Sequence, residues 1–260
     1  MPPSPAPSWI TIDAHTLQIL ASHDAYVRRP PASLTKLMTA YVACEAVAAG
    51  AHAWADAIVV DARDVQAVAD DETRMGLVPG ETVTLRRLLE GLMIVSGNDA
   101  ALALARHLAG SQAAFAQRMN DCARALDLRD THFISVSGIT TPGHHSTARD
   151  MAMMAARLIG RHPGLLAITA QRRFVHGAVD KANQNALLGE DGVDGLKTGY
   201  TQAAGFCLAA TAGRHAHGDA SLKRLITVVL GAGSRAARDD QVRAELAAGF
   251  AATMEHAPHA

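Results

Sequence analysis

The stretch Pro31-Ala32-Ser33-Leu34-Thr35-Lys36-Leu37-Met38-Thr39 predicts the start of a helix around which the rest of the chain is arranged. Proline occupies positions 30 and 31, and its fixed φ suits the first turn of a helix. An alanine-rich apolar run without proline or glycine continues to position 49, and Gly50 can end the helix there. The relative positions of the side chains in the first helical turn can therefore be predicted.

Ser33 and Lys36 are three residues apart, so they are expected on one face of this helix. A serine hydroxyl becomes a nucleophile when a neighbouring base takes its proton, and a lysine can be that base only if its pKa is lowered. Burial, the helix N-terminus and a second cation would each lower it. The alternative is an ordinary helix start, in which the serine caps the first turn and the lysine faces solvent. The pattern alone leaves both interpretations open.

The composition is typical of a globular protein without a strong electrostatic bias. The chain has 260 residues, of which 49% are apolar and 19% charged, and its net charge is −1. This length allows one large or two modest domains. We expect no nucleic-acid partner, because no basic patch is interleaved with aromatic residues. No apolar run reaches the ~20 residues of a transmembrane helix. The opening Met1-Pro2-Pro3-Ser4-Pro5 has no signal-peptide pattern.

The cysteines and histidines do not predict a disulfide framework or a metal site. Cys44, Cys122 and Cys207 are far apart in apolar contexts, as small buried hydrophobic residues would be. Histidines cluster only at 144–145 and 215–217, without cysteine or carboxylate neighbours at ligand spacing. We therefore interpret them as loop histidines and predict neither a metal nor an organic cofactor.

Hydrophobic periodicity predicts secondary structure along most of the chain. A hairpin is expected over 9–20, and strands return over 193–198, 206–212 and 225–230. The other predicted helices cover a segment from Thr82 or Thr84 to Val95, then 99–108, 111–126, 147–161, 165–170 and 235–254. The acidic segment 61–75 is expected to be an irregular surface excursion, and 171–185 a polar stretch.

These elements predict an α+β fold. The N-terminal hairpin and the C-terminal strands would form one antiparallel sheet flanked by helices, with the mostly helical middle of the chain as an inserted lobe. The whole chain, 1–260, is expected to be a single domain. Its α/β lobe would cover about 8–30 and 186–260, and its helical lobe about 33–185.

Two further tripeptides are candidates for binding or chemistry. Ser96-Gly97-Asn98 places two polar side chains on a tight connection between two predicted helices, although a plain helix–helix turn uses the same residue types. Lys197-Thr198-Gly199 offers a cation and a hydroxyl donor for a carboxylate, next to a glycine that lets another group approach the backbone. The alternative is an edge-strand lysine that opposes aggregation.

The three motifs carry more information together than singly. Ser-x-x-Lys, Ser-x-Asn and Lys-Thr-Gly each occur once and in this order, and two of the four lysines in the chain belong to them. On these residues the chain resembles the low-molecular-mass penicillin-binding proteins that act as D-alanyl-D-alanine carboxypeptidases or endopeptidases. The similarity includes blocks at 31–39, 92–101, 143–151 and 193–201. It implies the serine β-lactamase fold, with the active site between a helical lobe and an α/β lobe.

The resemblance implies a role for each catalytic residue. Ser33 would be the acylated nucleophile and Lys36 the base that activates it. Ser96 would pass a proton toward the leaving group. The backbone N–H groups of Ser33 and Tyr200 would form the oxyanion hole, and a helix N-terminus suits such a donor.

The substrate-binding residues follow from the same resemblance. Asn98 would bind the substrate's amide, Lys197 and Thr198 would hold its terminal carboxylate, and Gly199 would leave room for it along the strand. Lys197 would also help to keep Lys36 neutral through like-charge repulsion.

The chain departs from the family pattern in three places. Relatives often carry a C-terminal β-rich domain and a membrane-binding helix, neither of which we expect in a chain that continues only to Ala260. Gln184 stands where relatives often have an arginine, which removes one expected carboxylate contact. No Glu-x-x-x-Asn segment of the class A β-lactamase kind is found, so we expect no efficient penicillin hydrolysis.

The resemblance therefore predicts a serine DD-peptidase that cleaves the D-Ala-D-Ala bond, or a D-Ala-linked crosslink, of peptidoglycan stem peptides. β-Lactam antibiotics would be covalent inhibitors, and the location would be periplasmic or otherwise outside the cytoplasm. Two alternatives remain: a serine β-lactamase or esterase of the same fold, and a catalytically silent peptidoglycan-binding protein.

Overall fold

The computed structural model describes residues 6–215 and 222–254. The strands are β1 Ser8–Asp13, β2 Ile19–His23, β3 Ala57–Val59, β4 Thr82–Thr84, β5 Arg173–His176, β6 Val179–Ala182, β7 Val193–Thr201, β8 Gly205–His215 and β9 Leu222–Ala232. Five of them form an antiparallel sheet in the order β2-β1-β9-β8-β7. The N-terminal hairpin thus pairs with the C-terminal strands, which confirms the predicted α+β fold.

The helices cover both faces of this sheet. They are α1 Lys36–Ala48, α2 Ala62–Gln66, α3 Leu85–Ile94, α4 Asn98–Ala109, α5 Gln112–Ala125, α6 Ala148–Arg161, α7 Leu166–Thr169 and α8 Arg235–Met254, with 3₁₀ helices at Ala32–Thr35 and Pro163–Leu165. Helices α6 and α8 both pack on the central strands. Within the part of the chain that the structure describes, no helix combines the length and the apolar content needed to cross a membrane.

Strand β9 shows how the sheet separates two apolar cores. Ile226 and Val228 belong to the large core shared with the helices of the middle of the chain. Leu225 and Val229 belong to a smaller core that contains Phe250 of α8. Because side chains alternate between the faces of a strand, a strand buried on both faces has a continuous apolar sequence.

Helix starts follow the capping signals in the sequence. Thr84, Ser111 and Thr147 accept hydrogen bonds from backbone N–H groups of the first turns of α3, α5 and α6. Of the two candidate caps for α3, Thr84 is therefore the one used. Oδ2 of Asp150, in the first turn of α6, accepts hydrogen bonds from Asp130 N and Thr131 Oγ1. It therefore links the start of α6 to residues 130–131.

The prediction for segment 61–75 is wrong in part, and the polar stretch 171–185 contains strands that the sequence analysis did not predict. The segment 61–75 is not simply a surface excursion: it contains α2, its Asp64 is buried against Arg106, and Met75 is fully buried. The polar stretch after α7 contains the hairpin β5–β6, held in part by Phe174 under the Arg87 guanidinium. Neither segment has the apolar alternation that predicts a strand or helix. Each is stabilised instead by contacts with other elements of the fold, which a local sequence pattern does not show.

His144 is a buried structural residue and not an ordinary loop histidine. Its Nδ1 accepts from the backbone N–H groups of Ile134 and Ser135, so the ring proton is on Nε2, which lies 2.8 Å from Thr35 Oγ1. Burial, and next the neighbouring His145 and His132, lower the pKa of His144 to about 4. This neutral imidazole ties the loop before α6 to the turn that carries Ser33.

Candidate active site

Ser33 lies in the 3₁₀ helix that leads into α1, and Lys36 is the first residue of α1. The 3₁₀ form differs from the regular α-helical start that the sequence predicts. Residues three apart nevertheless meet in both helix types. Nζ of Lys36 lies 3.0 Å from Oγ of Ser33, so the predicted pair is formed.

The surroundings of Lys36 suit an uncharged amine. Its Nζ lies 2.7 Å from Asn98 Oδ1 and 2.6 Å from the backbone oxygen of Ser137. A neutral amine can donate to these two acceptors and keep its lone pair for the hydroxyl proton of Ser33. Burial, and next the ammonium of Lys197, hold the pKa of Lys36 well below its usual range, although Glu72 acts in the opposite direction.

Ser96 lies between α3 and α4 in a backbone conformation that is unusual for serine. Its φ is +64°, in the left-handed region. The neighbouring segment holds this connection: Thr73 Oγ1 donates to Ser96 O at 2.7 Å, and Asn98 N donates to Thr73 O at 2.8 Å. Backbone strain of this kind persists where the surroundings enforce it, and it is common at functional sites.

Lys197 and Thr198 lie on β7, at the edge of the sheet. Lys197 is 1% exposed, and its Nζ donates to the backbone oxygen of Thr198 at 2.8 Å. Burial, and next the Arg238 guanidinium, lower the pKa of Lys197 to about 7. Thr198 Oγ1 donates to Gln184 Oε1 at 3.1 Å, so Gln184 contacts the strand motif.

Gly199 brings β7 against the turn that carries the serine. A Cβ atom at Gly199 would lie 3.0 Å from the Ser33 backbone nitrogen, 3.1 Å from Ala32 Cβ and 3.1 Å from Leu34 Cδ1. A glycine is therefore needed for the strand and the turn to meet this closely. The third sequence motif and the first one, far apart along the chain, share one wall of a cleft.

The cleft has a volume of about 510 Å³ and joins all three motifs. Five predicted site residues line it, namely Ser33, Ser96, Asn98, Gly199 and Tyr200. Lys36, Lys197 and Thr198 are buried and are not among the lining residues. Residues that the sequence analysis did not select also line it, namely Asp71, Glu72, Thr73, Ser137, Gly138, Ile139, Thr201, Gln202 and Arg235.

Glu72 is the most consequential of the missed residues. Asn98 Nδ2 donates a hydrogen bond to Glu72 Oε2, on the far side of the amide from Lys36. The side chain of Asn98 therefore lies between the Glu72 carboxylate and the candidate base, Lys36. Nothing local in the sequence around Glu72 signals this position. Among the described residues, no group of three possible metal ligands lies in the cleft.

Comparison with known proteins gives a consistent result. The family profile described as D-alanyl-D-alanine carboxypeptidase (peptidase S11) matches residues 2–234. The D-alanyl-D-alanine carboxypeptidase DacD of Escherichia coli K12 is 40% identical over 244 residues, which cover 92% of this chain and 61% of DacD. The chain thus spans about three fifths of the length of that curated relative.

Solved structures agree with the sequence comparison. Penicillin binding protein 6B from Escherichia coli matches with a TM-score of 0.86 at 37% identity, covering 95% of this chain and 80% of that one. Penicillin-Binding Protein D2 from Listeria monocytogenes, solved in a cefotaxime-bound form, matches with a TM-score of 0.80 at 31% identity, covering 94% and 96%. Since sequence and fold agree over nearly all its residues, this chain belongs to the D-alanyl-D-alanine carboxypeptidase family of low-molecular-mass penicillin-binding proteins.

Proposed function

We propose that the chain is a serine DD-peptidase that cleaves the D-Ala-D-Ala bond, or a D-Ala-linked crosslink, of peptidoglycan stem peptides. The observation that carries this proposal is the contact between Ser33 and a buried Lys36, in a cleft that Gly199 and Tyr200 of the Lys197 strand also line. Family membership supports the same reaction.

In the proposed acylation, Lys36 takes the hydroxyl proton of Ser33 while Oγ attacks the carbonyl carbon of the scissile bond. The backbone N–H groups of Ser33 and Tyr200 stabilise the oxyanion, and one such donor is commonly worth about 2.7–4 kcal/mol. Ser96 passes a proton to the amine of the leaving D-alanine or peptide strand. Water then hydrolyses the ester on Ser33 and completes the cycle.

The proposed binding mode orients the peptide along β7. Lys197 and Thr198 hold the terminal carboxylate of the substrate, and Asn98 binds its amide. Gly199 leaves the edge of the strand open to the peptide backbone. Arg235 lines the same cleft and adds positive charge to it, whereas Gln184 is neutral.

The proposed partners are stem peptides and, as covalent inhibitors, β-lactam antibiotics. A relative of this chain was solved with cefotaxime bound, which supports the second group. Stem peptides are found outside the cytoplasm, so we place the protein in the periplasm or another extracytoplasmic location.

Penicillin labelling tests the proposal. We expect the intact mass of the protein to increase by one penicilloyl group after brief exposure to benzylpenicillin, with the adduct on the peptide that contains Ser33. Ser33→Ala should abolish the adduct and reduce D-alanine release from a pentapeptide by at least about 1,000-fold. Ser22→Ala, at an exposed serine outside the cleft, is the matched control. A folded wild-type protein that takes up no penicilloyl group would favour the catalytically silent alternative.

Product analysis separates the two forms of the activity. Release of free D-alanine from pentapeptide identifies a carboxypeptidase. Conversion of crosslinked muropeptides to monomers identifies an endopeptidase. Incubating one enzyme preparation with both substrates gives the ratio of the carboxypeptidase rate to the endopeptidase rate.

A second candidate activity is β-lactam hydrolysis. The Glu72 carboxylate beside Asn98 is a base that could activate water against the acyl-enzyme, although the sequence has no Glu-x-x-x-Asn segment. Rapid, sustained turnover of nitrocefin, lost in Glu72→Gln, would establish this activity. A single burst that stops at one equivalent would exclude it.

A further inference from the structure

A cluster of metal-binding residue types lies outside the cleft, where the loop after α1 meets the last turn of α4. His52 and Asp56 belong to the loop, and His107 belongs to α4. Asp56 Oδ2 lies 3.2 Å from His52 Nδ1 and 3.8 Å from His107 Nε2. All three ligand atoms lie within 4.8 Å of one another. None of these residues lines the cleft.

The hydrogen bonds within this cluster leave one nitrogen unused. His107 Nε2 is buried and has no hydrogen-bond partner among the described residues, because the 3.8 Å to Asp56 is too long for one. A buried polar atom without a partner is costly and calls for an explanation. Nε2 faces the same carboxylate oxygen that His52 contacts, and the two imidazole centroids are 4.9 Å apart. The three ligand atoms therefore lie close enough together to contact one ion.

The charges around the cluster suit a cation. Asp56 Oδ2 accepts from Ala53 N at 3.0 Å, which fixes the orientation of the carboxylate. His107 lies in the last turn of α4, at the negative end of the helix dipole. The adjacent Arg106 is paired with Asp64 through both carboxylate oxygens, so its positive charge is neutralised.

We propose that His52, Asp56 and His107 form a binding site for a divalent transition metal of the zinc class. Tetrahedral zinc with ligands near 2.0–2.2 Å requires ligand atoms about 3.3 Å apart. The distance from Asp56 Oδ2 to His52 Nδ1, 3.2 Å, is already close to this value, and His107 Nε2, at 3.8 Å, would need to move closer by a fraction of an ångström. Two nitrogens and one oxygen favour zinc, nickel or copper over magnesium and calcium, which prefer oxygen ligands. The fourth position would be taken by water. The metal would link the loop to α4, the helix that begins at Asn98. It would therefore stabilise the fold at a distance from the catalytic residues.

Zinc titration of tag-free protein tests the site. After treatment with a chelator and its removal, isothermal calorimetry with zinc chloride should give one binding event that is weakened by at least about tenfold in both His52→Gln and His107→Gln. His145→Gln is the control, because His132 and His145 form a second histidine pair, with centroids 6.3 Å apart, but belong to no group of three possible metal ligands in the part of the chain that the structure describes. Saturating zinc should also raise the Tm of the wild type but not of His107→Gln.

Tryptophan fluorescence tests where the metal binds. Trp54 lies between two of the ligands in sequence, and the only other tryptophan is Trp9. In a Trp9→Phe background, nickel sulfate should quench Trp54 fluorescence, and adding His107→Gln should remove the quenching. Circular dichroism confirms that each variant is folded. Zinc binding of the same stoichiometry and affinity in wild type and both ligand variants, or none in wild type, would overturn the proposal.

Discussion

At the residue scale, two buried lysines with different tasks set the pH dependence of the proposed reaction. Lys36 acts as a base only after losing its proton, so acylation increases as the pH rises through its lowered pKa. Lys197 holds a carboxylate only while protonated, so binding is lost as the pH rises through about 7. We expect a bell-shaped profile of kcat/KM for pentapeptide hydrolysis between pH 5 and about 10.

Lys197→Arg separates the two limbs of this profile. Arginine stays charged across the whole range, so the alkaline limb should disappear while the acid limb remains. A variant that retains the alkaline limb would assign that limb to a group other than Lys197.

Glu72 should influence the acid limb. Its negative charge favours the protonated form of Lys36, so Glu72→Gln should lower the pKa of Lys36 further. The acid limb of the acylation rate by benzylpenicillin should then move to lower pH. Asp71→Asn, at the neighbouring exposed carboxylate in the same cleft, is the control. An unchanged acid limb in Glu72→Gln would mean that the limb reports a group other than Lys36.

Sequence reasoning works at this scale where a motif is local. Ser33 and Lys36 are one helical turn apart, so their contact follows from chain geometry alone. Glu72 reaches Asn98 only because the segment after α2 folds back along the connection between α3 and α4. No spacing rule in the sequence predicts this contact, so the sequence analysis does not identify Glu72.

At the element scale, the approach of β7 to the 3₁₀ helix depends on one missing side chain. Gly199→Ala would place a methyl group against backbone and side-chain atoms of residues 32–34, pushing strand and turn apart. A displacement near 1 Å can cost about 100-fold in rate, so we expect that loss in acylation by benzylpenicillin.

Gly160→Ala is the matched control for this substitution. A Cβ at Gly160 of α6 meets no atom of the described residues within 4 Å, and alanine is the better helix former. Acylation should be unchanged, and the free energy of unfolding should increase by about 0.5–1 kcal/mol. Wild-type acylation in Gly199→Ala would show that the close approach is not required.

The elements that the sequence predicts best are those with a capping residue and their own apolar periodicity. Helices α3, α5 and α6 begin where Thr84, Ser111 and Thr147 place them. The hairpin β5–β6 is largely exposed and polar, so it has no apolar signal. Within the first hairpin, Leu17 lies in the turn with φ of +63°, and the second strand begins at Ile19.

At the scale of the whole molecule, the pairing of N-terminal and C-terminal strands was predictable. Strands β1 and β9 are buried over most of their length, and β9 has a continuous apolar run, so each needs partners on both sides, and few other segments could supply them. The relation between the cleft and the segment 61–75 was not predictable, since it depends on buried polar contacts such as those of Asp64 and Asp99. The division into two lobes within one domain stays a prediction.

The stability of the whole molecule should fall in mild acid because of His144. Its pKa is about 4 in the folded protein and near 6.5 in the unfolded chain, so between these values the unfolded chain binds a proton that the folded protein does not. The stabilisation is complete above pH 6.5 and is lost as the pH falls toward 4, at a cost of about 3 kcal/mol. Urea unfolding at a series of pH values measures this loss.

His144→Gln should flatten that dependence. A glutamine amide can accept from the N–H groups of Ile134 and Ser135 and donate to Thr35, but it does not titrate. The variant should therefore lose less free energy of unfolding than the wild type between pH 6.5 and 4, even if it is less stable at pH 7. His15→Gln, at an exposed histidine of the first hairpin, should keep the wild-type slope. Equal slopes in wild type and His144→Gln would show that the acid sensitivity of the fold arises from another group.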